Sequence, residues 1–259
     1  MSGTHKQALV YDMEFDTLDY KQDPAQVDYK MFEVQDYKYG NLKIMDCPGS
    51  SIWKLDVDAN TFSRVRSYNG NRPRAVYGTD FIFTLKIMEV GKQLAVHKYD
   101  ANTNVETNLT NIVFPSGITL RTAPSVCHIG NNQFIMIGND SANYYIVHIM
   151  KYDANSHTIS LLRKGVEMEY LYPNWVKEGV PCFVQSHPGV LVDRDIFFYP
   201  QAGSKYGWFR YNMDTHQIIC VTSSVGSYVV PIETEDFILF SAHGEYGIHK
   251  IQLFNQKTN

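Results

Sequence analysis

A short phrase that returns along the whole chain constrains the fold more than any other feature. Lys98-Tyr99-Asp100-Ala101-Asn102-Thr103-Asn104 reappears as Lys151-Tyr152-Asp153-Ala154-Asn155-Ser156-His157. Looser copies stand at Arg210-Tyr211-Asn212-Met213-Asp214-Thr215-His216, at Lys54-Leu55-Asp56-Val57-Asp58-Ala59-Asn60 and at Tyr11-Asp12-Met13-Glu14-Phe15-Asp16. A fraying sixth copy, His249-Lys250-Ile251-Gln252, follows near the C-terminus. The anchors Asp12, Asp56, Asp100, Asp153, Asn212 and Gln252 are separated by 44, 44, 53, 59 and 40 residues. Self-similarity at such a period marks an array of one supersecondary unit, repeated because a single unit cannot bury its own apolar face.

Each anchor follows an apolar or aromatic run and precedes a cluster of Asn, Asp, Thr and Ser. Asp and Asn there can accept hydrogen bonds from backbone amides two residues on and fold the chain back. The phrase therefore predicts a strand, a tight turn and a return strand. A second landmark lies upstream of each of the last five anchors, a polar turn residue and then an apolar strand: Asn41-Leu42, Asp80-Phe81-Ile82-Phe83, Gln133-Phe134-Ile135-Met136, Asp195-Ile196-Phe197-Phe198 and Asp236-Phe237-Ile238-Leu239. A glycine falls before each anchor strand, at Gly49, Gly91, Gly138, Gly203 and Gly244.

Three ordered landmarks per unit predict four antiparallel strands per unit. Four complete units are expected over residues 30–68, 74–110, 123–164 and 181–224, with a three-stranded fifth over 227–254. Residues 7–21 supply the hairpin that the fifth lacks. The expected fold class is all-β: a β-propeller of four-stranded antiparallel blades, a single domain over 1–259. Five blades is the simplest count, with the ring closed by the N-terminal strand so that sheet edges are covered. One surplus strand leaves a divergent sixth blade, or a longer parent chain, as alternatives. The 18 Tyr and 14 Phe suit strands packed face to face, and no helical periodicity stands out.

Met1 to Gln7 has no apolar core of a secretory signal, and no apolar run approaches the length of a membrane span. Cys47, Cys127, Cys182 and Cys220 are scattered without a Cys-x-x-Cys, which reads as reduced thiols in a cytoplasmic or nuclear protein. On that reading the acceptor patterns Asn108-Leu109-Thr110 and Asn139-Asp140-Ser141 are chance matches for glycosylation. The net charge of −4, without a basic tract, argues against nucleic acid as the principal ligand. Asp12 to Asp36 holds eight carboxylates against Lys21 and Lys30, which fits a solvated outer edge better than an acidic binding patch.

The phrase Tyr-Asp-x-x-Thr-Asn at Tyr99 to Asn104, repeated with Ser and His at Tyr152 to His157, resembles the hairpin of kelch repeats. So does the order of second strand and glycine. The chain departs from that pattern in having one glycine where kelch repeats have two. It also places Leu18, Phe62, Val105, Ile159 and Ile218 near the position of the kelch fourth-strand Trp. It is similar to a divergent kelch-like propeller of the galactose-oxidase and F-box-associated type. The resemblance implies a module that binds other proteins and names no partner.

Chemistry has little to attach to. His97 and His249 share the repeat position of Trp53, Met150 and Phe209 and read as third-strand packing residues, while His157 and His216 share the turn position of Asn60 and Asn104. His128, His187 and His243 are loop residues in separate units without ligand spacing, so no metal or other cofactor is expected. Nucleophile elbows, phosphate loops and zinc-protease motifs are missing. The alternative function is a carbohydrate-binding or glycoside-hydrolysing five-bladed propeller, for which Glu33 and Glu233 lie in or near first strands.

The blade-joining loops carry the functional signal. Tyr68 to Arg74, Phe114 to Arg121 and Gly165 to Lys177 are uneven and rich in aromatic residues and arginine, the types enriched at binding hot spots. The expected site is one face presenting Arg72, Arg74, Arg121, Tyr170, Tyr172 and Trp175 to a protein or peptide partner, an acidic one if the arginines read it. Against it stands a Tyr170 to Trp175 segment that folds back over its own blade. Trp53 and Trp208 lie within strands and read as core. Oligomeric state is left open by the sequence.

Overall fold

The computed structural model describes residues 7–12, 17–22, 33–34, 42–47, 51–56, 61–67, 73–76, 79–86, 93–100, 103, 105–121, 124–167, 182–184, 189–198, 200–202, 205–225, 229–233, 237–242 and 248–252. Among these residues there are 23 strands and no helix. Internal contacts divide the chain into two compact units, residues 1–84 with 96–109 and residues 85–95 with 110–259.

The first unit opens with an antiparallel hairpin, β1 (Gln7–Asp12) and β2 (Thr17–Gln22). Next come β3 (Glu33–Val34), β4 (Leu42–Cys47), β5 (Ser51–Asp56) and β6 (Thr61–Ser67), an antiparallel sheet in chain order. The first unit also holds the larger part of β7 (Pro73–Ala75), β8 (Phe81–Lys86), β9 (Gln93–Asp100) and β10 (Val105–Val113), again a four-stranded sheet in chain order.

The second unit contains the antiparallel sheet β11 (Ser125–His128), β12 (Gln133–Asn139), β13 (Ile146–Asp153) and β14 (Thr158–Glu167). Six strands form the next sheet: β15 (Cys182–Val184), β16 (Val190–Val192), β17 (Asp195–Phe198), β18 (Pro200–Ala202), β19 (Lys205–Asn212) and β20 (Ile218–Val225). Long β19 pairs with β17 through Phe209 to Asn212 and with β18 through Lys205 and Tyr206, while β20 lines its other edge. The three strands β21 (Val229–Glu233), β22 (Phe237–Ala242) and β23 (Ile248–Gln252) complete the unit.

The repeated phrase folds through one device. Asp153 ends β13, and its Oδ1 accepts the amides of Asn155 and Ser156, so the side chain does the turning. Asn212 ends β19 and accepts from Asp214 and Thr215 in the same way. The other side-chain atom reaches across the ladder to the second landmark. Gln133 Nε2 donates to Asp153 Oδ2 at 2.8 Å, and Asn212 Nδ2 donates to Asp195 Oδ1 at 2.8 Å. These pairs are direct cross-strand neighbours, Gln133 with Asp153 and Asp195 with Asn212. The Gln133 and backbone hydrogen bonds hold the Asp153 carboxyl below its ordinary value.

The turn histidines have a second task. His157 and His216 adopt φ of 53° and 55°, in the left-handed region that few side chains enter. Each brings Nδ1 to the hydroxyl of the buried tyrosine five residues back, Tyr152 at 3.3 Å and Tyr211 at 2.6 Å. Burial pushes both tyrosine pKa values up to about 12.

In the second unit the sheet of β11 to β14 packs on the sheet that includes β16, β17, β19 and β20. Ile135, Ile137, Val147 and Ile149 meet Ile196, Phe198, Phe209, Tyr211 and Ile218 in one apolar layer. Both faces of β12 and β13 are buried, since Phe134, Met136, Met150 and Tyr152 are fully enclosed too. Two sequence expectations change here. His128 is the last residue of β11, its ring tilted against Phe134 with centroids 5.2 Å apart, and not a loop residue. His97 is no plain packing residue, because its Nδ1 lies 2.7 Å from the Glu106 carboxylate.

Gly138, the pre-anchor glycine of its unit, is a site of close approach. A Cβ there would lie 2.8 Å from Leu120 Cδ1 and 3.3 Å from Pro124 Cβ. Overpacking of this kind costs about 1–3 kcal/mol. Gly138→Ala is expected to lower the unfolding free energy by that amount, read in urea as a lower midpoint at an unchanged m-value.

Candidate functional site

The loop between β12 and β13 is short and rich in side-chain-to-backbone bonds. Asp140 Oδ1 accepts the amides of Ala142 at 2.8 Å and Asn143 at 3.0 Å, and Asn143 Oδ1 accepts the amide of Tyr145 at 3.0 Å. Buried Asn139 donates from Nδ2 to the Tyr144 carbonyl at 2.8 Å. The Asn139 amide is enclosed and occupied, unlike exposed Asn108 of the other glycosylation pattern.

A second stretch, residues 114–121, is strapped to this loop. Leu120 forms a β-bridge with Asp140, the Arg121 amide donates to the Asn139 carbonyl, and the Ser141 amide donates to the Thr119 carbonyl. The exposed Arg121 guanidinium then lies over the ring of Tyr144, 4.2 Å from its centroid. A guanidinium resting on an aromatic face keeps its N–H edges open to solvent and loses part of its rotamer freedom beforehand. Arg121 has no ion-pair partner among the described residues. Among the described residues Asp140 forms no ion pair with it; its carboxylate oxygens meet the Ala142 and Asn143 amides and His148.

The second of those oxygens faces His148. His148, 2% exposed on β13, places Nε2 3.0 Å from Asp140 Oδ2, and its Nδ1 accepts the Gly165 amide at 3.2 Å. Because Nδ1 accepts, the proton resides on Nε2 and points at the carboxylate. Gly165, at φ 69°, sits where the β13–β14 register shifts, so the imidazole ties the loop to a bulge in the outer strand. Burial alone raises the Asp140 pKa, but the bonds from His148, Ala142 and Asn143 more than offset it.

Of the expected site residues the structure places two. Arg121 stands as described. Arg74 lies in β7 opposite Phe83. Arg72, Tyr170, Tyr172 and Trp175 lie outside the described residues. Tyr144, Asp140 and His148 were missed by sequence reasoning. Their available signals were a lone polar residue inside the apolar run Ile146 to Met150 and an Asp-x-x-Asn turn after a strand.

No other chemistry gathers nearby. Among the described residues no three His, Cys, Asp or Glu side chains cluster as metal ligands. Glu33 and Glu233 fall in β3 and β21, each the first strand of its sheet. Cys127 is buried and Cys220 half-buried. An open groove of about 420 Å³ runs between β14 and β20, lined by Arg163, Val166, Glu167, Gln217 and Ile219 among others. Arg163 already donates there to the His216 carbonyl.

No protein-family model matches the chain, and no curated protein sequence does. Solved structures do. TolB from Acinetobacter baumannii superposes with a TM-score of 0.54 at 12% identity, over 94% of this chain and 57% of its own. A protein from Lactobacillus plantarum superposes with a TM-score of 0.51 at 9% identity, over 97% of this chain and 89% of its own. The fold is propeller-like. The chain spans little more than half the length of TolB. At these identities the likeness concerns the fold alone, and the kelch resemblance has no support from it.

Acid should expose the role of Asp140. Its folded pKa lies below the ordinary 3.8, so the stability its carboxylate supplies is complete above that value and is lost as pH falls through the lower one. The difference in thermal stability between wild type and Asp140→Asn is expected to hold at neutral pH and close below pH 3.8. Calorimetry across an acid series checks this.

Proposed function

We propose that the chain is a non-catalytic protein-interaction module, a five-bladed, kelch-like propeller closed by its N-terminal hairpin, which presents loops of one face to a peptide or protein. The observation that carries this reading is the Arg121–Tyr144 stack. It is an exposed cation, preset on an aromatic ring, held by two loops that are bonded to each other. Such an arrangement suits recognition of a carboxylate, since the guanidinium fork offers two parallel donors to two oxygens. Arg72, Arg74, Tyr170, Tyr172 and Trp175 would extend the same face in a propeller, where blade-joining loops and second-to-third-strand loops share one side. The favoured partner is therefore an acidic peptide segment of another protein.

Hydrogen bonds to charged groups contribute about 1.5–3 kcal/mol, so Arg121→Ala is expected to weaken an acidic peptide by roughly tenfold to a hundredfold. Selection from a displayed peptide library against wild type, with Arg121→Ala and Tyr172→Ala/Trp175→Ala as counter-baits, reads this directly. Enrichment of Asp- and Glu-rich peptides on wild type, lost from both variants at unchanged melting temperature, supports the reading. Peptides bound equally by all three proteins would remove the face from consideration, and failure to enrich any sequence would sink the module itself.

A further inference from the structure

We propose that β10 is a self-pairing edge strand through which two copies of this chain associate about a twofold axis at Leu109. β10 ends the strand order of its sheet, so no described strand pairs with its outer edge. Unpaired edges are templates for another chain, and proteins guard them with lysine, arginine, proline, bulges or short length. β10 has neither the basic residues nor the proline, and it is not short. Its nine residues, Val105-Glu106-Thr107-Asn108-Leu109-Thr110-Asn111-Ile112-Val113, include no Lys, Arg, Pro or Gly. Its one charge, Glu106, is turned away, with a side chain 7% exposed and held at the His97 imidazole.

The outer strand of the following sheet shows what guarding looks like in this protein. β14 exposes Arg163, Lys164 and Glu167 and breaks its register beside Gly165 at φ 69°. Both strands end their sheets, yet β14 carries basic residues and a break in register while β10 carries no basic residue at all.

The pattern of β10 is also complementary to itself. Val105 and Val113 are 54% and 59% exposed, the two most exposed large apolar residues among those described. They lie at equal distances on either side of Leu109. An antiparallel pairing with Leu109 opposite its own copy sets Val105 against Val113 and Thr107 against Asn111, twice each. β-Branched pairs and hydroxyl–amide pairs are favourable cross-strand neighbours, and this register brings no like charges together. Because each copy uses the same edge, the contact is isologous and closes at two. A single strand pair buries little beside a standard stable interface, so the association is concentration-dependent.

Register-specific cross-linking of the full chain tests this. In the pairing, Thr107 of one copy faces Asn111 of the other, whereas the two Thr107 positions lie ~13 Å apart along the strand at about 3.3 Å per residue. Under mild oxidation, a mixture of Thr107→Cys and Asn111→Cys proteins is expected to give a disulfide-linked dimer that neither protein gives alone. Sedimentation equilibrium of wild type should show mass rising toward a dimer with concentration, and Val105→Lys/Val113→Lys should lose that rise at unchanged melting temperature. The proposal is overturned if the mixture cross-links no more than the separate proteins. A wild type monomeric at every concentration, whether or not another protein captures the strand, overturns it equally, as does a dimer that survives the double lysine substitution.

Discussion

The acceptor oxygen at the ends of β13 and β19 is what the rest of the second unit depends on. Asp153 and Asn212 reverse the chain with one side-chain atom and hold the neighbouring strand with another. Reversal and register are therefore fixed by the same residue. In a sheet a slip of one residue moves every side chain to the wrong face, and here both faces of β12 and β13 are buried. A device that sets the turn and the register together removes that error at its source. The two implementations are chemically inverted: the upstream carboxamide donates to the anchor carboxylate in one sheet, the anchor carboxamide donates to the upstream carboxylate in the other, and they serve the same geometry.

That device explains how much of the fold was legible. An anchor, an upstream polar residue and an intervening glycine were visible as separate sequence landmarks, and the first two prove to be direct cross-strand partners for Gln133 with Asp153 and for Asp195 with Asn212. Asp56 and Gln252 instead face Leu42 and Phe237, one residue further on. Gly138 is read by its neighbour, since Leu120 fills the space where a Cβ would stand. The propeller-like, all-β nature of the chain followed from these landmarks because each has a local physical cause. Less legible was the sheet containing β15 to β20, where β18 inserts an extra pairing on β19 that no landmark announces.

The candidate site was harder to read for a related reason. Arg121 drew attention as an arginine in an uneven loop, but its support comes from Tyr144, 23 residues later, and from a bridge between Leu120 and Asp140. His148 gave even less warning. A histidine within an apolar strand reads as one more filler, and its importance depends on Asp140 and Gly165 arriving from two different loops or strands. Local turn chemistry is written in consecutive residues, whereas a surface site is assembled from distant ones, and composition does not encode the meeting.

The left-handed turn histidines carry a consequence for how such a chain can diverge. At His157 and His216 the residue must tolerate positive φ and also bring a hydrogen-bonding atom far enough to meet a buried phenol five residues earlier. Asn satisfies the first demand, and stands at Asn60 and Asn104 in the corresponding sequence positions, but its side chain is shorter. Glycine would satisfy the backbone and abandon the phenol. Substitution is thus confined to a few polar residues while the flanking positions remain free to change. Repeats built this way can drift until little but the turn is shared, and the turn then becomes the part of the ancestry that survives longest.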